Sequence, residues 1–338
     1  MPATATLTLD DVSILLVWTA IAIYALAFVA YTIDLSTRSA LAVEAQDARA
    51  RELVGAAVGQ ARAAERAAAA EVDARPVARP RFVWARIGTS LTVLGFLFHV
   101  GADVTRGIAA ERVPWANMYE FALTGTMLIV LVYLLVLTRY DLRFLGAFIT
   151  GLTVLLLGGT AISFYTEVVP LMDPLKSVWL VIHVFVASLG TAFFALAFAL
   201  SVLQLMQSRR ERKAVVDAAG TEVRTGPRFL RTLPGSDTLE SLAYRFAIIG
   251  FILWTFTLIA GAIWADDAWG RFWGFDTKEV WTFVIWVLYA GYIHARATRG
   301  WRGTRSAWLS IIGFAAVMFN FTIVNMFFKG RHVYSGLS

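Results

Sequence analysis

The sequence predicts an all-α fold: a polytopic membrane protein of about eight transmembrane helices. Three observations carry that prediction. Of 338 residues, 58% are hydrophobic and only 16% are charged. The apolar residues fall in runs of roughly 17–25, the length that crosses a bilayer core. Lys and Arg gather in alternate connections between those runs, as cytoplasmic loops require. Because hydrocarbon offers no partner for a free backbone N–H or C=O, each run must be helical.

The runs lie at 12–33, 83–102, 119–138, 143–162, 177–206, 242–263, 279–295 and 307–328. Asp10 and Asp11 precede the first, with no basic region before it, so it reads as a retained span and not a cleaved signal. Residues 40–75 are Ala-rich with interspersed Arg and Glu, a composition that favours helix but supplies little apolar stripe to bury. The chain therefore divides into a first span (1–34), a cytoplasmic helix or linker (35–82) and a membrane domain (83–338). The 207–240 connection opens with Arg209-Arg-Glu-Arg-Lys213 and continues through Gly226-Pro227 and Pro234-Gly235, a charged edge followed by turns.

Placing the connection after the first span inside assigns 23 of the 30 Lys and Arg residues to the cytoplasm and seven to the other face. Both termini and the 264–278 stretch are then extracytoplasmic, in a plasma (inner) membrane. The net charge of +6 belongs to these cytoplasmic loops and not to a nucleic-acid surface. There is no cysteine, so any thiol chemistry belongs to a partner. No Walker loop, dinucleotide fingerprint, nucleophile elbow or HExxH occurs.

Three of the twelve tryptophans fall between Trp264 and Lys278, at Trp264, Trp269 and Trp273, with Phe272, Phe275, Asp266, Asp267 and Asp276 among them. The stretch is too polar to cross a bilayer. Its rings suit a large flat ligand, since Trp buries area at little entropic cost and keeps an N–H for a polar edge. Spacing alone leaves a membrane-interface belt equally open. Asp276 is placed to orient an indole N–H or a turn. Topology sorts the four histidines. His183 falls near the outer end of the fifth span and His332 just beyond the eighth, both on the tryptophan side. His294 lies near the cytoplasmic end of the seventh. His99 reads as a packed helix histidine, with Asp103 one turn later as its partner.

The order of these residues resembles a known family. Trp264-x4-Trp269-Gly-x2-Trp273-Gly-Phe275-Asp276-x-Lys278-Glu279 is similar to the WWD signature of the haem-handling proteins of cytochrome c assembly. The run Trp286-x2-Tyr289-x2-Tyr292-x-His294-x-Arg296 is similar to the stretch C-terminal to that signature in the CcsA/ResC (CcsB-type) branch of System II. Pro114-Trp-Ala-Asn117-Met-Tyr119-Glu120 and Trp179-Leu-Val-Ile-His183 resemble two further blocks, so the resemblance covers about residues 90–335. Phe275 stands where the family usually has a third Trp, and Thr277 where it has Pro.

The resemblance implies a haem-presenting subunit of a holocytochrome c synthase. His183 and His332 would be the axial ligands of an outer haem, and His294 a transmembrane haem ligand. Trp264, Trp269, Trp273, Phe275 and Asp276 would form the haem-contacting segment. The cofactor implied is b-type haem in transit, and its propionates call for positive charge such as Arg271, Lys278, Lys329 and Arg331. The partners implied are a ResB/Ccs1-type membrane protein, apocytochrome c and thioredoxin-like thiol reductants. The alternative is a haem or aromatic-anion exporter without ligation activity.

Overall fold

A computed structural model describes residues 7–60, 83–169, 176–216, 222–224, 227–298, 300–328 and 330. Among these residues there are eight long helices: α1 Leu9–Gln60, α2 Val83–Ala110, α3 Met118–Leu137, α4 Gly146–Ser163, α5 Val178–Arg212, α6 Ser236–Trp269, α7 Thr277–Ala297 and α8 Thr304–Phe319. α8 runs on through a π-turn at Asn320–Val324 to Asn325–Phe327. A short antiparallel hairpin, β1 Ala214–Val216 with β2 Glu222–Arg224, stands where the sequence predicts only turns.

Among the described residues seven helices are long and apolar enough to cross a membrane: α1, α2, α3, α4, α5, α6 and α8, with α1 counted to Ala40, α4 from Arg143 and α8 to Phe327. The eighth predicted span exists as α7, a helix of 21 residues. It falls short in apolarity because Lys278, Glu279, His294 and Arg296 occupy its two ends. α7 is tied to α6 through indoles: Trp254 Nε1 donates to the Thr282 carbonyl at 3.1 Å and Trp286 Nε1 to Thr255 Oγ1 at 3.0 Å. The predicted cytoplasmic segment 35–82 is helical as far as Gln60, continuous with the first span, and its remainder lies outside the described residues.

α5 is the core helix, with Phe194, Leu196, Leu200 and Leu203 fully buried. Tyr289 of α7 stacks on Phe194 with ring centroids 3.6 Å apart. α1 packs beside α2 and α4 through Tyr24 and Tyr31, both buried.

Among the described residues, buried ion pairs gather at the two ends of the bundle. At one end Arg106, fully buried, donates to Asp10 at 2.5 Å, to Glu120 at 3.1 Å and to the Thr166 carbonyl at 2.8 Å. Arg112 reaches the same Glu120 at 2.6 Å. The Pro114–Glu120 block is therefore a scaffold: Glu120 is a buried carboxylate held by two guanidiniums and the Ala116 N–H, and it fixes the start of α3 against α1 and α2. At the opposite end Glu240 binds Arg296 at 3.0 Å and the Gly303 N–H at 2.8 Å.

Candidate functional site

A cavity opens at the Arg106–Glu120 end and is lined from α3, α4, α5, α6, α7 and α8. Its aromatic wall includes Trp115, Phe121, Trp254, Trp264, Phe272 and Trp273. Along α6 it runs from Trp264 to Trp254, about 15 Å at 1.5 Å per residue. Trp115 is held in place by its Nε1, which donates to Thr124 Oγ1 at 3.0 Å, and Thr124 in turn donates to Asp103 at 2.7 Å.

His183, in the second turn of α5, lies in that wall. Its Nδ1 is 2.9 Å from the Thr257 carbonyl, which only accepts, so Nδ1 carries the proton and the lone pair is on Nε2. This is the arrangement that fixes a ligating histidine's tautomer and ring direction. The imidazole stacks on Trp264, with centroids 6.0 Å apart and planes at 23°. Gly261 makes the approach possible, since a Cβ there would sit 2.7 Å from His183 Cε1 and 2.8 Å from Nδ1.

The tryptophan stretch is not one loop. α6 continues through Trp269 and is closed by Gly270 at φ +67, whose N–H bonds to the Asp266 carbonyl at 2.7 Å. Helical spacing then directs Trp264 inward, where it is 2% exposed, with Trp269 packed against it at 4.9 Å. Trp273, past the helix end, lines the cavity mouth. Phe275 is 81% exposed, at φ +57, and touches Trp273 edge-on. Asp276 caps α7 in a capping box with Glu279, whose Oε2 accepts from the Gly274 and Asp276 N–H groups at 2.8 and 3.1 Å. Neither Phe275, Asp276 nor Trp269 is in the cavity wall. Lys278 is, and desolvation there pushes its ammonium down to about 8 against the pull of the Asp276 carboxylate.

His294 is exposed near the last turn of α7. It lies twelve residues past Thr282, the last α7 residue of the cavity wall, or about 18 Å along the helix. His99 is fully buried, as its packing reading requires, with Nε2 2.9 Å from the Leu123 carbonyl and Nδ1 3.4 Å from the Tyr24 hydroxyl. Its predicted partner Asp103 instead accepts from Thr124, because the side chain turns toward α3. His332, Lys329 and Arg331 lie outside the described residues. Gly330 is described, and a side chain there would collide with the Asp276 carboxylate.

Sequence reasoning did not single out Thr257 and Gly261, although with Trp264 they fall at i, i+4 and i+7 on one helical face. It also passed over Asn320 and Asn325, whose polarity inside an apolar span was the available signal. Their five-residue spacing shares a face only because the backbone makes a π-turn there.

Bundle and cavity together define a multi-pass helical membrane protein with an aromatic-walled chamber open at one end. The profile of the cytochrome c assembly protein family matches residues 115–332. The cytochrome c biogenesis protein CcsA of Guillardia theta is 32% identical over 262 residues, covering 75% of this chain and 86% of that one. CcsA of Prochlorococcus marinus is 33% identical over 252 residues, covering 68% and 78%. A solved structure of the cytochrome c haem lyase CcmF shares the fold, with a TM-score of 0.59 at 17% identity over 95% of this chain; the chain spans about half that protein's length, 48%. The chain belongs to the cytochrome c assembly protein family, in its CcsA branch, and its role is in cytochrome c maturation.

Proposed function

We propose that the chain is the haem-handling subunit of a System II cytochrome c synthase, which holds haem at the extracytoplasmic face for covalent attachment to apocytochrome c. The observation that carries this reading is His183: Nδ1–H is engaged by Thr257, and the ring is stacked on Trp264 within an aromatic wall. Such an imidazole offers Nε2 as an axial ligand. Haem is the cargo here, and the residues suit it: indoles for the ring faces and Lys278 for a propionate. His332 supplies the second ligand, as the order of the sequence motifs implies. His294, at the opposite end, is the place where haem is first taken up, with the partner subunit giving its other ligand. Both termini are extracytoplasmic in this arrangement. The remaining reactive groups, thiol and vinyl, come from the substrates, while the protein supplies orientation and redox protection.

Visible spectra of the purified chain with its ResB-type partner test the reading. His183→Gly and His332→Gly should each convert six-coordinate low-spin haem to a five-coordinate or weakly held form, and added imidazole should partly restore the low-spin bands. Unchanged bands in either variant would remove that residue from the site.

A further inference from the structure

Three side chains that line the cavity each carry a buried acceptor oxygen with no hydrogen-bond partner among the described residues: Glu279 Oε1, Asn320 Oδ1 and Asn325 Oδ1. Each side chain is only 8% exposed. The other polar atom of each side chain is already engaged. Glu279 Oε2 is occupied by the Gly274 and Asp276 N–H groups, with the Arg271 guanidinium 3.7 Å from the same oxygen. Asn325 Nδ2 donates to the Phe321 carbonyl at 2.7 Å and Asn320 Nδ2 to Thr282 Oγ1 at 3.4 Å, so in both amides the oxygen is the atom left over. Thr282 lies one turn from Glu279 on α7. The Asn320 bond to it therefore brings the π-turn against the α7 face that carries Glu279.

A buried acceptor without a donor is destabilising, so three around one cavity select a ligand that brings donors. Haem brings none there at neutral pH: its edge carries methyl and vinyl groups, and its carboxylates are themselves acceptors. A thiol-bearing peptide brings S–H and backbone N–H groups. Resting on the haem-presenting reading above, we propose that this wall receives the attachment segment of the apocytochrome, and that Glu279 Oε1 carries the proton in thioether formation.

The step balances without an oxidant or reductant. The S–H bond breaks, its proton passing to Glu279 Oε1, while sulfur bonds to the vinyl carbon next to the ring. The vinyl π bond breaks, and the proton held by Glu279 goes to the terminal carbon, which becomes a methyl group. The carboxylate is regenerated. Asn320 and Asn325 accept from N–H groups of the same segment and hold the thiol beside Glu279.

Glu279→Gln and Glu279→Asp, each in the full chain with its partner subunit, separate this role from mere anchoring of the Gly270–Asp276 turn. Gln keeps the length and an acceptor for the Gly274 and Asp276 N–H groups but no ionisable oxygen. Asp keeps the carboxylate but is one methylene short. The assay supplies reduced haem b and an apocytochrome with a Cys-x-x-Cys-His segment. It reads bound-haem spectra before the apocytochrome is added and covalent haem afterwards. Both variants should keep the wild-type spectrum, and Glu279→Gln should attach haem on the order of 10²-fold more slowly, with Glu279→Asp retaining more of the rate. Attachment by Glu279→Gln that equals or exceeds that of Glu279→Asp overturns the proposal, as does loss of bound haem in step with loss of attachment. Failure of the haem-presenting reading would appear earlier, as a wild-type chain that binds no haem.

Discussion

The Thr257 carbonyl stands 2.9 Å from His183 Nδ1, and the two residues belong to different helices, α6 and α5. That one bond fixes the imidazole's tautomer, its ring plane and its stacking on Trp264. Whatever disturbs the α5–α6 contact at this level disturbs the imidazole.

Gly261→Ala places a methyl 2.7 Å from His183 Cε1. The ring must rotate or the helices part, at about 1–3 kcal/mol for an overpacked contact. The expected outcome is a bound haem with weakened low-spin bands and a lower melting temperature, read by visible spectroscopy and thermal unfolding in detergent. Gly270→Ala, at a helix end remote from the ring, should lower stability through its φ of +67 and leave the bands in place.

Haem affinity should fall as pH rises above about 8. The Lys278 ammonium is depressed to about that value by burial. A propionate beside it raises the bound-state value, so the attraction is complete below pH 8 and is lost as pH climbs through 8 toward the bound value. Titrations on either side of that value check this, and Lys278→Gln should give weaker binding on the acid side that no longer changes between the two.

Trp273→Ala should cost more haem than Phe275→Leu. Trp273 is in the cavity wall, whereas Phe275 is 81% exposed and outside it. Haem copurifying with each variant, per mole of protein, measures the difference. Equal retention would move the stacking surface elsewhere. Phe275→Gly should be tolerated or stabilising, because a glycine accepts φ +57 without strain.

Glu120→Ala should destabilise by about 3–5 kcal/mol, the effect of leaving buried charge without its counterpart. Arg106 is fully buried and Arg112 nearly so, and both lose their shared carboxylate. The loss should appear as a large drop in unfolding temperature and in yield, and haem bound by the surviving fraction should keep its spectrum, since Glu120 does not line the cavity.

The helices were legible in the sequence because bilayer thickness dictates a run length, and no predicted run extends more than one residue beyond an observed helix or its short extension. The family was legible because Trp264, Trp269, Trp273, His183 and His294 stand in a recognisable order. The 264–278 stretch was legible as lying outside the membrane spans, but its backbone was not: polarity argues against a membrane span there without preventing a helix from running on past the hydrocarbon, and α6 does so to Trp269.

Composition and order alone determined that this chain crosses a membrane in helices, has no thiol of its own, and carries His183 and a cluster of indoles toward one end of the bundle. Only the tertiary structure decided which of them share a chamber. It joined His183 to Thr257 and Gly261 across the α5–α6 contact, turned Trp264 inward and Phe275 outward, and used a π-turn to bring Asn320 and Asn325 to the same wall. The reason is physical. Bilayer crossing is set by summed hydrophobicity along a segment, whereas a site is set by which face of each helix meets which neighbour, and that is fixed by close contacts between residues far apart in the chain.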